Sequence, residues 1–307
     1  FITTNSFRPT SYSSSFMNLQ HVPPVDGRTV VFESQGDRLP ALLVTPAGSG
    51  PWPVLLICHG AGEFKENYQE MASALAAQGI ASFIPDMHGH GLNCEIPFRL
   101  SMKEWVGDIR AAVRWIEACP ELDECRIGAA GLSSGGTAIL EAALEEPRLK
   151  TLVAMDATVM DTLPLTISLT MRILSVVGWI KKLVMGKDVT ISLLKDMENL
   201  ELAVDPEVNN MLKLHPGKRR AFGAFPLPGA IDAFVVTTIK RVGKIEVPTL
   251  VIWGEEDKLD PPSTGQKLFD ALTCVKHFEV VSGNGHVGHL DQNRHEVFRL
   301  TADWLKR

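Results

Sequence analysis

The sequence predicts an α/β protein in which a mostly parallel sheet is flanked by helices, and three observations carry that prediction. Short apolar runs alternate with segments of helical periodicity from Arg28 to the C-terminus. The first central run, residues 54–58, is apolar throughout, as a strand covered on both faces must be. The alternation breaks once, for about ninety residues, too long for an ordinary crossover and so read as an insertion.

In chain order, residues 29–33 and 39–45 read as an antiparallel opening pair and 54–58 as the first central strand. Residues 81–85, 127–130, 151–155, 249–253 and 278–281 read as the strands that follow. Ser101-Met102-Lys103-Glu104 has the form of a capping box, in which serine and glutamate satisfy each other's free N–H groups. Trp105, Ile109, Val113 and Ile116 then continue at helical spacing. A last helix is expected over residues 294–305. The domain reading is a core of residues 17–157 and 245–307, a helical cap of residues 158–244, and an arm of residues 1–16. The arm is rich in Ser and Thr, is excluded from the fold, and leaves Met17 as a candidate start.

Composition limits the function. At 307 residues, 45% hydrophobic and 21% charged, the chain buries a full core. A net charge of −6 argues against a general nucleic-acid binder. That charge is uneven: the segment 158–244 holds twelve Lys or Arg against eight Asp or Glu, a net of +4, leaving −10 on the remainder. A solvated helical surface accounts for this, and attraction of an anionic substrate or surface is the sharper reading. Cys58, Cys94, Cys119, Cys125 and Cys274 form no C-x-x-C pair, which points to neither zinc nor a disulfide framework but to a reducing compartment, the cytoplasm. No apolar run spans a membrane, since residues 163–185 are broken by Arg172, Lys181 and Lys182. That segment is a candidate for transient contact with a membrane or lipid surface.

The chemistry-bearing motif is Gly131-Leu132-Ser133-Ser134-Gly135, set where a small apolar strand gives way to strong helix formers. A sharp strand-to-helix turn forces an unusual backbone on the serine, and glycines two residues to either side let the chain close up. Serine is a weak nucleophile, needing a base and a group that orients the base. Asp257 follows a strand at its carboxyl end, and His286 follows the last strand in Gly283-Asn284-Gly285-His286. Competitors stand beside each: Ser134 in the shifted register, Asp260 and Asp156 for the acid, and His289, as a second-layer or surface histidine, for the base. His88 and His90 lack accompanying ligands at metal spacing and read as loop residues, and Cys58 as a buried apolar side chain. No metal and no cofactor are expected.

With these segments in view, the chain resembles the α/β-hydrolases, specifically the serine-hydrolase branch of monoacylglycerol lipases, carboxylesterases and serine aminopeptidase-like proteins. The resemblance runs from about Arg28 to the C-terminus and covers the insertion only loosely. It rests on Cys58-His59-Gly60-Ala61-Gly62, Asp86-Met87-His88-Gly89-His90-Gly91, the serine turn, and the acid and histidine loops. It implies an α/β-hydrolase fold with a helical cap inserted before the strand that carries the acid. It further implies a triad of Ser133, Asp257 and His286 and an oxyanion hole from the N–H groups of Ala61 and Ser134. His59, Gly60, Gly62, Gly131 and Gly135 would support the site, His59 by bracing the oxyanion turn. The implied reaction is hydrolysis of a small-molecule carboxylic ester, of medium acyl or aryl type. Thioester or carbon–carbon bond hydrolysis is the alternative, and peptide hydrolysis or a non-catalytic binding role comes behind. Apolar cap residues Leu165, Ile167, Leu169, Met171, Ile173, Leu174, Val177, Trp179 and Ile180 are expected to pack mostly on the body, the rest lining a pocket.

Overall fold

In the computed structural model the described residues are 27–91, 96–186 and 188–307; the arm 1–16, Met17 and the stretch to residue 26, and Cys94 lie outside them. The strands are β1 (Arg28–Ser34), β2 (Asp37–Val44), β3 (Trp52–Cys58), β4 (Ala81–Pro85), β5 (Leu122–Leu132), β6 (Leu149–Met155), β7 (Thr190–Ile191), β8 (Phe225–Pro226), β9 (Thr249–Gly254) and β10 (Lys276–Val281). Eight of them form one sheet in the order β1-β2-β4-β3-β5-β6-β9-β10. β2 runs antiparallel to both its neighbours, and every pair from β4 to β10 is parallel.

Alternation along each strand divides the core in two. Val54, Leu56 and Cys58 face one side with Leu152, Ala154, Val251 and Trp253. Leu55 and Ile57 face the other with Val153, Met155, Leu250 and Ile252. Helices α2 (Met102–Glu117), α3 (Ser134–Ala143) and α9 (Pro262–Ala271) cover the first face through Trp105, Ile109, Ile139 and Leu268. Helices α1 (Gln69–Ala76) and α10 (Arg294–Leu305) cover the second through Met71, Leu75, Phe298 and Trp304. Each such fully buried large side chain contributes about 1.5–3 kcal/mol of transfer free energy.

The capping box at α2 is half formed. Ser101 Oγ accepts from the Glu104 N–H at 3.4 Å, but the Glu104 carboxylate forks onto Arg99 at 2.8 and 2.9 Å instead of turning back to the serine. A bidentate guanidinium is the stronger partner for a carboxylate. The free Met102 N–H is taken by Asp232 of the insertion, 2.8 Å away.

Between β6 and β9 the chain forms α4 (Leu165–Met185), α5 (Leu194–Asn199), α6 (Pro206–Leu214), α7 (Pro216–Gly223) and α8 (Leu227–Phe234). It also forms a two-stranded antiparallel ribbon of β7 and β8 that helical periodicity does not foretell. Helix α4 overturns one expectation. Its buried residues are the small Ser168, Ser175 and Gly178, with Met171 half-buried; Ser168 Oγ donates to Asp161, and at the contact with α8 Ser175 Oγ donates to the Leu227 carbonyl at 2.7 Å. The large apolar residues point outward: Leu165 is 84% exposed, Leu169 56%, Ile173 54%, Val177 52%, Trp179 59% and Ile180 49%. Most of that apolar surface therefore does not pack on the body. Close helix–helix approach favours small side chains at the contact, and a 21-residue helix that makes such a contact must turn its bulk away.

Candidate active site

Ser133 sits on the turn from β5 into α3 with φ 52° and ψ −119°, a left-handed conformation that an L-residue adopts only under constraint. The constraint comes from both flanks. The Ser133 N–H donates to Met155 O at 3.0 Å, and its carbonyl accepts from the Thr137 N–H at 3.0 Å. A Cβ on Gly131 would lie 2.3 Å from Gly135 O, and one on Gly135 would lie 2.3 Å from Cys58 O and 2.5 Å from His59 O. Backbone stands in the way at both, so neither neighbour can yield as a side chain would. Gly135→Ala is accordingly expected to destabilise the fold by about 3 kcal/mol, read as a lowered urea midpoint; an unchanged midpoint would contradict this account of the turn.

Ser133, Ser134, Ala61 and His286 line one cavity of about 490 Å³. Ser134 is the first residue of α3, whose N–H groups have no partner within the helix, and Ala61 lies on the turn after β3. His59 Nδ1 donates to Gly60 O at 2.9 Å, and Nε2 accepts from the Met87 N–H at 3.0 Å, which makes the ring neutral, in agreement with the fall of its pKa on burial. Gly62 has φ +72°, and the Gly60 N–H donates to Glu63 Oε2 at 3.1 Å.

Asp257 and His286 meet. His286 Nδ1 lies 2.8 Å from Asp257 Oδ2, with both side chains buried, while Asp257 Oδ1 accepts from the N–H groups of Leu259 and Asp260 at 2.9 Å each. Burial opposes charge on the His286 ring, but Asp257, then Asp260 and Asp156, outweigh it and push the pKa up to about 9. Asp156, at φ 41°, lies beside the pair with a side-chain hydrogen bond to Asp257, and its Oδ1 accepts from the Gly254 N–H at 2.7 Å. Burial and the neighbouring Asp257 charge hold its carboxyl well above the usual range. Asp260 also lines the cavity, where its Oδ2 accepts from Thr158 Oγ1 at 2.8 Å. Among the described residues, the hydrogen-bond partner of Ser133 Oγ is Thr158 Oγ1, at 3.3 Å, and not His286.

His289 is a buried residue rather than a surface one. It stacks on Tyr68 with ring centroids 4.2 Å apart, its Nε2 is 3.9 Å from Glu63 Oε1, and burial depresses its pKa to about 4. His88 pairs with Asp108 at 2.5 Å and Asp37 at 3.1 Å, and His90 Nδ1 lies 3.0 Å from His88 O. Among the described residues no three His, Cys, Asp or Glu gather as metal ligands. Glu63, Thr158 and Lys218 line the cavity without having been singled out in the sequence. Glu63 follows the His59–Gly62 turn directly, which was the available signal. Lys218 lies in a Lys-Arg-Arg run that reads as a solvated surface; burial lowers its pKa, with Glu63 opposing.

A family model described as serine aminopeptidase, S33, matches residues 50–293. The chain belongs to that family. The S33 match takes in the His59–Gly62 turn, the serine turn, the whole insertion, and the loops of Asp257 and His286. A monoglyceride lipase homolog of monkeypox virus is 25% identical over 261 residues, covering 83% of this chain and 90% of that one. Among solved structures, DcsB, determined with its substrate analogue, has a TM-score of 0.77 at 19% identity over 92% of this chain and 98% of that one. The monoacylglycerol lipase of Paleococcus ferrophilus has a TM-score of 0.66 at 18% identity over 87% and 98%. These two likenesses are of fold, and with the family they make this S33 chain an α/β-hydrolase similar to lipases and esterases.

Proposed function

We propose that the protein is a serine hydrolase of carboxylic esters with medium acyl or aryl groups, acting through Ser133, His286 and Asp257. The observation that carries this is the His286–Asp257 pair at 2.8 Å opening on the same cavity as a serine held at the strand-to-helix turn. Ser133 Oγ attacks the ester carbonyl carbon while His286 Nε2 takes its proton. The N–H groups of Ala61 and Ser134 hold the oxygen that becomes negative; loss of one such donor costs about 3 kcal/mol of barrier. The tetrahedral adduct expels the alcohol, which leaves with the proton from His286, and water then releases the acid from Ser133 by the same route in reverse. Leu163, Ile167, Met171 and Phe234 of the insertion give the cavity apolar walls, which suits an acyl chain or aryl ring better than a charged carrier thioester.

The exposed apolar face of α4, with Arg172 and Lys181 also exposed, supports action at a lipid surface. Among the described residues no helix is long and apolar enough to cross a membrane. Among the described residues Cys58, Cys119, Cys125 and Cys274 form no disulfide, which supports the reading of a reducing compartment.

A fluorophosphonate probe is expected to label the protein and to leave Ser133→Ala unlabelled. That variant should also lose at least about 10³-fold in turnover of p-nitrophenyl esters. Equal labelling of the two proteins would overturn the serine mechanism. Faster turnover of acyl-CoA thioesters than of esters at every chain length would move the reaction to thioester hydrolysis.

A further inference from the structure

The resting nucleophile is tied to a group outside the triad, and the direction of its hydrogen bond follows from the acceptor at the end of the chain. The Thr158 hydroxyl donates to Asp260 Oδ2 at 2.8 Å, and while that group is a carboxylate it accepts only, so the threonine proton is spent there; burial raises the Asp260 pKa, with His286 and this hydrogen bond opposing. Thr158 Oγ1 then has only lone pairs to offer Ser133 Oγ, at 3.3 Å, and the Ser133 proton points to the threonine. We propose that Thr158 and Asp260 are positioning residues forming a resting clamp, which holds the Ser133 hydroxyl away from His286 until the hydrogen bond is exchanged for one to the imidazole. The inference rests on the reading of Ser133 as nucleophile and deepens it.

Both arms of the clamp are built in. The Thr158 N–H donates to Ser133 O at 3.3 Å, and the Thr158 carbonyl accepts a short hydrogen bond from Thr137 Oγ1, so the threonine is fixed to the same turn as the serine. Asp260 is held by its own N–H, which donates to Asp257 Oδ1 at 2.9 Å, and by its carbonyl, which accepts from Trp253 Nε1 at 2.7 Å. The clamp and the triad thus share the loop that follows β9. His286 is faced by Asp257 and Asp260 from that loop, by Asp156 from the end of β6, and by His289 on its own loop. While the ring is cationic it has no lone pair for the serine proton, and the threonine is the acceptor that remains. Loss of that ring proton is what makes the exchange productive.

Two substitutions separate a clamp from a structural brace. Thr158→Val keeps the shape and removes the acceptor. Asp260→Asn lets an amide N–H donate to Thr158 Oγ1, which turns the threonine proton toward Ser133 and frees the serine proton for His286. The readout is the rate of fluorophosphonate labelling as pH is raised from about 5 to about 10, with melting temperature as the check on folding. Both variants are expected to label about threefold to tenfold faster than wild type at neutral pH, the weight of one net hydrogen bond. Thr158→Ser, which restores the acceptor, should return the slower rate. In wild type and Thr158→Val the labelling rate should rise with pH toward about 9, because the His286 ring must lose its proton to serve as base. In Asp260→Asn that rise should fall at lower pH, since one carboxylate beside the ring is gone. A folded Thr158→Val that labels at or below the wild-type rate overturns the clamp. If Thr158→Val does not fold, an Asp260→Asn rate no higher than wild type overturns it instead. Failure of wild type itself to label above Ser133→Ala would remove the ester-hydrolase reading and the clamp with it.

Discussion

Asp257→Asn is expected to lower kcat for ester hydrolysis by about 10⁴-fold at neutral pH, the scale set by removing the orienting carboxylate from a serine–histidine pair. The size follows from what Asp257 Oδ2 does at 2.8 Å from His286 Nδ1. It accepts the Nδ1 proton and so leaves Nε2, the nitrogen needed by the nucleophile, with a lone pair. An asparagine can place its N–H against Nδ1, favouring the tautomer that puts the proton on Nε2, where the ring cannot act as base. The same change removes the main charge that raises the His286 pKa to about 9, so the pH at which labelling rises should move down. Asp156→Asn is the control. Asp156 accepts from the Gly254 N–H at 2.7 Å and, among the described residues, makes no hydrogen bond to the His286 ring nitrogens, and burial and Asp257 hold its pKa well above the usual range, so an amide there should cost far less. Steady-state kinetics on one ester settles the order; a larger loss from Asp156→Asn would assign the acid to the end of β6.

The second large effect is at α4. Leu183 is 72% and Trp179 59% exposed, and Leu183→Asp combined with Trp179→Ser is expected to weaken binding to anionic lipid vesicles by at least about 100-fold. Full burial of each large apolar side chain is worth about 1.5–3 kcal/mol, so even partial insertion of two gives that factor. Cosedimentation with vesicles measures it, and the emission of Trp179 should shift to shorter wavelength on binding in the wild type. Lys181 and Arg172 add an attraction of about 1 kcal/mol each that salt should weaken. Undiminished vesicle binding by the double variant would remove α4 as the contact, and no binding by wild type would remove the lipid surface itself.

The core was legible in the sequence because its strands are short apolar runs on a fixed period and its turns carry glycine where backbone meets backbone. Residues 81–85 form the strand the sequence predicts, a last helix expected at about residues 294–305 is present, and Gly131 and Gly135 announced their turn. Asp257 and His286 were legible because each follows a strand at the end where the sheet's ligand sites gather. The half-formed capping box was not, since Arg99 competes for Glu104 only once the chain is folded. Nor was Thr158, at the first residue of the expected cap, because its role comes from Asp260, a hundred residues away in the chain. Helix α4 misled for a physical reason: apolar content ordinarily predicts burial, and here the residues buried on α4 are the small Ser168, Ser175 and Gly178, with Ser175 bonded to α8.

That stripe commits the molecule. If α4 rolled about its axis to hide Trp179 and Ile180, bulky side chains would replace Ser175 and Gly178 at the seam. The axis would then be pushed away from α8, and the hydroxyl bond to Leu227 O would be broken. No rotation of this helix both shelters its greasy side and keeps its seat. Among the described residues that apolar side is therefore left open by the packing itself, and a purified preparation should self-associate as concentration rises unless detergent, lipid or a second surface occupies that side.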